Sequence, residues 1–540
     1  MAIVTGVILA SRSAYAVDEP IEIDVLAADV TEGAQLRVDH LGADVRRVAV
    51  LETESRVTLA PLDPGGYRVE LVDRAGSTIA ATAIQVLDPE RRFDPVRYGF
   101  TTDYRPGRDL AGLTQVMRRL HLTTIQCYDW AYRHADLLGG GRTYADALGN
   151  PVDLDTVRAI VEACRSVGSR ALGYAAVYGV GAAEWPRWEQ HALLDGDGAP
   201  YALGDFLRVV DPATPDWLAH FTAELRAAVE AVGFDGFHLD QYGWPKRAVT
   251  PDGRLVDLAQ RFPQLIAGVR AGLPESFLIF NNVNDFPTWT TARAPQDAVY
   301  IEVWTPHDRL GDLARVVTRA RAEGDGRPVV IAAYLSVFAT AEVVAAEQAA
   351  RLTMATLFSH GATHLLVGEE GRLLVDPYYV RNWPAQPSTI DLLARWYDFL
   401  VAHDEILLPQ DIYDVTGAYA AGYNDDVDVT FAGTPVSGDA QAGTVWRRVT
   451  ATAYGLVVHL INLGSVSDPL WDAPQPPPGV TGAGRLRVRL MGASVPEILV
   501  GDPDAAGRLE PVEVTVAGTH ACATLPQLGT WQVVLIRWGE

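Results

Sequence analysis

Between residues 93 and about 405, short apolar runs alternate with longer stretches of helical period. The strand candidates are Tyr98–Thr101, Thr124–Tyr128, Ala171–Val177, Gly236–Asp240, Phe277–Asn281, Ala298–Glu302, Val329–Tyr334 and Thr363–Val367. Helical runs follow them, among them Leu110–Leu120, Leu154–Val167, Trp217–Val232, Leu310–Ala322 and Ala341–Phe358. Strands that alternate with helices are the mark of a parallel sheet, and eight such units in roughly 310 residues predict a (β/α)8 TIM barrel with enlarged loops. A doubly wound open sheet is the rival, but no Gly-rich nucleotide fingerprint follows any of the strands.

The flanks read differently. Residues 1–92 hold short β-rich runs from Val7–Ala10 to Ile79–Leu87, separated by turns such as Pro64-Gly65-Gly66 and Arg74-Ala75-Gly76. That spacing predicts an immunoglobulin-like β-sandwich. Residues 406–540 return to β pattern with Val445–Thr452, Tyr454–Ile461, Leu486–Leu490, Val512–Val516 and Trp531–Ile536, which predicts a second β-sandwich. The expected architecture is therefore multidomain: a sandwich over 1–92, a barrel over 93–405 and a sandwich over 406–540. A chain of 540 residues is too long for one core, which agrees with that division.

At the N-terminus Ile3 to Ala10 is apolar, and Ala14-Tyr15-Ala16 imitates a signal-peptidase site. No positive charge precedes the run, so it reads as a first strand, and a cytoplasmic protein is expected, with secretion the alternative. The net charge of −24 argues against nucleic acid and anionic membrane surfaces as partners, and no apolar run is long enough to span a bilayer. Nothing in the sequence sets an oligomeric state. Cys127, Cys164 and Cys522 are far apart and odd in number, and are expected as three buried thiols. His238 and Asp240 form an H-x-D, and His360 and His364 stand four apart, but there is no HExxH, so no metal or other cofactor is expected. No GxSxG elbow is present either.

Catalytic groups of such barrels sit at the C-terminal ends of strands. The fourth strand candidate ends in His238-Leu239-Asp240-Gln241-Tyr242, and the sixth in Tyr300-Ile301-Glu302-Val303-Trp304. Side chains alternate faces, so Phe237, Leu239, Val299 and Ile301 cover the helix side while His238, Asp240, Tyr300 and Glu302 point inward. Two carboxylates across one mouth suit glycoside cleavage, where one attacks and the other protonates the leaving oxygen. The competing reading makes either acid half of a structural ion pair. Asp129, after the second strand, is suited to a pair of sugar hydroxyls, or else to Arg133. Asn281, Asn282 and Glu369 offer hydrogen bonds to hydroxyls or caps for helices. Trp130, Trp185, Trp188, Tyr242, Trp244 and Trp304 fall in the same loops, where flat rings suit the apolar faces of sugars.

Three segments together carry a resemblance. Gly233-Phe234-Asp235-Gly236-Phe237-His238-Leu239-Asp240-Gln241-Tyr242-Gly243 resembles the nucleophile motif of glycoside hydrolase family 66. Val299-Tyr300-Ile301-Glu302-Val303-Trp304 is similar to its acid/base motif, and Gln126-Cys127-Tyr128-Asp129-Trp130 with Arg133-His134 to its second-strand motif. Gly368-Glu369 and Val458-His459-Leu460-Ile461-Asn462 fit as well, whereas Ser11-Arg12-Ser13-Ala14-Tyr15 matches loosely. The resemblance implies a retaining enzyme of α-1,6-glucans, dextran or isomaltooligosaccharides, with Asp240 as nucleophile, Glu302 as acid/base and Asp129 as a substrate-binding carboxylate. Tyr128, Trp130, His134, Gln241, Tyr242, Asn282, Trp304 and Glu369 are the further binding candidates. A dextranase-type hydrolase is expected, because no extra carbohydrate-binding module interrupts the barrel. A transglycosylase of the cycloisomaltooligosaccharide glucanotransferase type is the alternative, and a non-catalytic glycan-binding protein the third reading.

Overall fold

The computed structural model describes residues 7–26, 30, 32–51, 55–420, 422–490, 492 and 494–539. At its centre eight parallel strands lie side by side in chain order: β1 (Tyr98–Thr101), β2 (Thr124–Cys127), β3 (Arg170–Ala176), β4 (Gly236–Asp240), β5 (Phe277–Val283), β6 (Ala298–Glu302), β7 (Val329–Ala332) and β8 (Ala362–His364). Long helices follow seven of them: Ala111–Arg119, Leu154–Ser166, Pro215–Val232, Leu258–Gly272, Leu310–Gly324, Val343–Ser359 and Pro387–Ala402. After β5 the chain makes only the four-residue turn Thr288–Thr291.

The strands are apolar runs because both of their faces are covered, by helices outside and by packed side chains inside. In β6 every residue is buried. The helices show how local sequence sets their ends. Pro215–Val232 opens with proline in its first turn, where a missing N–H costs nothing, and stops at Gly233 at φ 92°. Its buried residues, Trp217, Phe221, Leu225, Ala228 and Val232, recur at helical spacing along one face.

The sheet curls back on itself behind β8. The Glu369 amide donates to the Phe100 carbonyl at 2.7 Å. A Cβ on Gly368 would sit 2.3 Å from that same carbonyl oxygen, so only glycine lets the chain approach β1 this closely.

Both flanking regions are β, and their main strands pair antiparallel. The first has a three-stranded sheet (Ile8–Ala10, Ile21–Val25, Arg56–Leu59) and a four-stranded sheet (Ala43–Ala49, Gln35–His40, Gly65–Val72, Thr78–Val86). Ile23, Val57, Leu36 and Val69 from the two sheets share one core. Of the apolar N-terminal run, Ile8–Ala10 is a strand, and Ile3–Gly6 lies outside the described residues. In the last region, the sheet built on Val445–Thr452, Gly455–Asn462 and Trp531–Arg537 shares a core with the one built on Val427–Thr430, Gly484–Arg489 and His520–Leu525. Its other face joins the barrel, where Trp531 stacks on Trp396 at 5.6 Å. Cys127 and Cys164 are buried, but Cys522 is half-exposed, because its strand alternates faces at a sheet surface. Among the described residues no helix is long and apolar enough to cross a membrane.

Candidate active site

The C-terminal mouth of the barrel opens into a cleft of about 490 Å³. Its floor is aromatic. The Tyr98 hydroxyl meets His238 Nδ1 at 2.9 Å, and the Tyr300 ring stands edge-on to the His238 ring at 4.7 Å. Burial pushes the His238 pKa down to about 3, so the ring is neutral.

Above this layer are Asp240 and Glu302, as strand parity requires. Asn281, on β5 between them, donates from Nδ2 to Asp240 Oδ1 at 2.7 Å and to Glu302 Oε2 at 2.8 Å. Those two oxygens therefore lie no farther apart than the sum of the two bonds, about 5.5 Å. The Tyr174 hydroxyl donates to the other Asp240 oxygen at 2.7 Å. No arginine or lysine pairs with either acid among the described residues, so the ion-pair reading of this pair falls away.

Burial sets the charge states. It pushes Asp240 up to about 6 against the Tyr174 and Asn281 hydrogen bonds, which pull it down. Glu302 is raised to about 7, first by burial and then by the charge of Asp240, with Asn281, Tyr334 and Trp304 acting in the opposite direction. Glu302 therefore holds its proton at a pH where Asp240 has begun to lose its own.

Asp129 lines the same cleft and accepts no hydrogen bond from a described residue. Arg133 spends its guanidinium on the Tyr132 and Ala145 carbonyls instead. Burial, followed by the charges of Asp146 and Asp240, raises Asp129 to about 8. Its φ is 48°, a left-handed conformation unusual for a residue with a side chain.

Of the other binding candidates, Tyr128, His134, Tyr242 and Trp304 line the cleft. Tyr128 stacks on Tyr379 at 4.4 Å, and Trp304 leans on Tyr334 at 5.5 Å. Burial lowers His134 to about 4, so it meets a ligand as a neutral ring. Gln241 borders the cleft, but its amide is spent on the Asn281 and Phe286 carbonyls and its carbonyl on the Gly243 amide.

Three candidates do not reach the cleft. Trp130 is fully buried and donates from Nε1 to the Tyr174 carbonyl, because its ring packs outward against Phe234. Asn282 is one residue out of phase with Asn281 and turns to the helix side, where it bonds Thr291 and the Tyr300 carbonyl. Glu369 is clamped by Arg108, by the Thr102 amide and hydroxyl and by the Asp103 amide at 3.0 Å. Of the loop tryptophans, Trp244 lines the cleft, whereas Trp188 packs on Trp217 and Trp185 lies under Arg208. Asn281 is a sequence candidate for sugar hydroxyls or a helix cap and not for a bridge between the acids, and Tyr174, Tyr334, Tyr379 and Lys246 are among the cleft residues to which no motif points. The strand register sets the choice between the two asparagines: Asn281 pairs with the inward Tyr300, and Asn282 with the outward Ile301.

The molecule is a parallel eight-stranded barrel that carries a carboxylate pair joined by one amide at its mouth, an arrangement suited to chemistry by paired acids. The chain belongs to glycosyl hydrolase family 66, whose model matches residues 11–535. A cycloisomaltooligosaccharide glucanotransferase of Niallia circulans is 26% identical over 313 residues, which are 52% of this chain and 31% of that protein. A dextranase of Streptococcus salivarius is 27% identical over 158 residues, 26% of this chain and 19% of that one. The match thus spans about a third or less of these relatives' length. The fold is similar to that of a cycloisomaltooligosaccharide glucanotransferase from Paenibacillus sp. complexed with cycloisomaltoheptaose, with a TM-score of 0.86 at 18% identity over 98% of this chain and 99% of that one.

Proposed function

We propose that the protein is a retaining hydrolase of α-1,6-glucans, with Asp240 as nucleophile and Glu302 as acid/base. The observation that carries this reading is the shared Asn281 amide, which keeps facing oxygens of the two acids within about 5.5 Å. Retaining enzymes hold their carboxyls at about 5–5.5 Å, and inverting ones need about 6.5–9.5 Å to admit a water. The relatives' names, dextranase and cycloisomaltooligosaccharide glucanotransferase, support an α-1,6-linked substrate.

In the first step an Asp240 oxygen attacks the anomeric carbon on the face opposite the leaving group, the glycosidic bond breaks, and Glu302 gives its proton to the leaving oxygen. In the second, Glu302 takes a proton from water, which attacks the same carbon and frees Asp240. Glu302, the weaker acid of the pair, is suited to arrive protonated. Asp129 offers a carboxyl free of protein partners to the hydroxyls of the bound sugar, and Tyr128, His134, Tyr242 and Trp304 supply walls. The same reading assigns 1–92 to an immunoglobulin-like sandwich, 93–405 to the catalytic barrel and 406–540 to a second sandwich. The separate apolar cores of the two flanks support that division.

Transglycosylation is the second reading, favoured by the relative that aligns over 313 residues being a glucanotransferase. Water and sugar hydroxyl compete for one intermediate. Incubation with dextran, isomaltooligosaccharides and starch, followed by product analysis and anomer-resolved NMR, decides among these readings. The expected result is cleavage of the first two substrates with α-configured new ends. Cyclic or lengthened products would move the assignment to transfer, initial β products would remove Asp240 from its role, and binding without turnover would leave a glycan-binding protein.

A further inference from the structure

The chain contains 44 lysine and arginine residues, and all but one are arginine. The exception, Lys246, lines the cleft, where no arginine does. Among the described residues 24 line it, a small share of the chain, so chance seldom puts a lone lysine there.

Lys246 follows Asp240 in the loop that leaves β4. Its carbonyl takes the Leu258 amide at 3.1 Å, which fixes the root of the side chain at the start of the next helix. The residue is exposed, its ammonium makes no ion pair among the described residues, and it lies 5.1 Å from the centre of the Phe286 ring. Phe286 belongs to the loop after β5, and that loop is stitched to the acid/base strand: the Asn284 amide donates to the Glu302 carbonyl at 2.6 Å, and Asn284 Oδ1 accepts the Trp304 amide at 3.1 Å. Asp129 and His134 stand on the other wall, after β2. The ammonium thus lies beside the loop that is tied to the Glu302 strand, and Glu302 is the acid from which a leaving oxygen would receive its proton.

We propose that Lys246 donates hydrogen bonds to hydroxyls of the sugar unit on the leaving-group side, and so selects substrates that carry a sugar there. This rests on the function proposed above. The choice of lysine has a physical reason. A guanidinium is a planar fork that prefers to grip a carboxylate with two bonds, and this cleft holds three acids. An arginine at the same root would be drawn to Asp240 or Glu302 and would neutralise the reacting pair. A hydrated ammonium with three rotatable donors is a poorer clamp and a more adaptable partner for hydroxyl oxygens.

Two measurements test the proposal. Lys246→Met is compared with wild type on an isomaltooligosaccharide, whose leaving group is a sugar, and on an isomaltotriosyl fluoride, whose leaving atom carries none. The kcat/KM for the oligosaccharide should fall about 10- to 100-fold, the worth of a hydrogen bond to a charged group, and the loss on the fluoride should be several-fold smaller. The second measurement uses the single ε-amine. Acetylation of Asp240→Ala protein, read at the Lys246 peptide by mass spectrometry, should slow several-fold when the cleft is saturated with isomaltooligosaccharide, with Lys246→Arg as the control for the α-amine. Equal losses on the two substrates, or an acetylation rate that saturation leaves unchanged, would overturn the proposal. Folded wild-type protein that leaves every α-1,6-glucan intact would instead overturn the function on which it stands.

Discussion

Asp129 and Glu369 occupy similar places and meet opposite fates. Each is an acid just past the end of a barrel strand, and each has a φ of 48°. Glu369 lies deep beside Arg108, with backbone amides and hydroxyls filling its remaining lone pairs. Asp129 opens onto the cleft with no described partner, and burial drives its pKa up to about 8. An acid at the mouth of a barrel becomes a structural pin when a cation reaches it and stays available to a ligand when none does. Asp240 and Glu302 are on the available side of that division. Removing an available acid should therefore cost chemistry and spare the fold, whereas removing the clamped one should do the reverse.

The largest effect should come from Asp240→Ala, with turnover of dextran falling by about 10⁴-fold or more because no covalent intermediate can form. Azide should then attack an activated α-glycoside from the vacated nucleophile side and give a β-glycosyl azide. Glu302→Ala should lose about 10²- to 10⁴-fold on dextran, the usual contribution of a positioned proton donor. It should lose far less in forming the intermediate from a fluoride, and azide should there give the α product. The exchange of the two anomers would mean that the two roles are reversed.

Glu369→Gln comes next, and its effect is on stability. It leaves the Arg108 guanidinium buried beside a neutral amide, and loss of one partner of a buried pair costs about 3–5 kcal/mol. A lowered thermal midpoint with an unaltered pH profile in the folded fraction is expected. A changed pH profile would place Glu369 with the reacting groups after all.

Asp129→Asn should show the opposite sign. An acid whose folded-state pKa is raised from 3.8 to about 8 destabilises the fold progressively as pH climbs through that interval, and the penalty is complete above it. The asparagine variant should melt higher than wild type at pH 8, with the difference gone near pH 4, while glucan binding weakens. A lower midpoint at pH 8 would reveal a partner for Asp129. The smallest effect is a shift: Asp240→Asn removes a charge that raises Glu302, so Glu302, titrated by NMR, should fall below its value of about 7. In wild type, activity should rise as Asp240 ionises near 6 and decline as Glu302 loses its proton near 7.

The sequence made the acids' positions legible and hid their partners. A period of two is a local property, so His238 and Asp240 on β4, and Tyr300 and Glu302 on β6, could be assigned to the inside from their neighbours alone. The same rule was available for Asn281 and Asn282 but had no purchase, because Phe277-Leu278-Ile279-Phe280 is apolar throughout and gives no phase. The state of Glu369 was not legible at all: Arg108 is 261 residues away along the chain and arrives only when β8 closes onto β1. The loop tryptophans misled for a related reason. Composition placed them at the mouth, but large loops need cores of their own, and Trp130 and Trp188 supply them. The barrel itself was plain because each unit repeats a pattern that neighbouring units reinforce.

The Asn281 bridge has a consequence for motion. Its two N–H bonds each need only an oxygen lone pair, and a carboxyl retains one on either oxygen whether or not it is protonated. The amide can therefore stay bonded to both acids while the proposed cycle moves the proton off Glu302 and back. In that cycle the outward and return halves pass through the same gap, so the protein has no need to rearrange between them. The scaffold could be rigid here, and the only travellers would be the sugar, the water and one hydrogen nucleus.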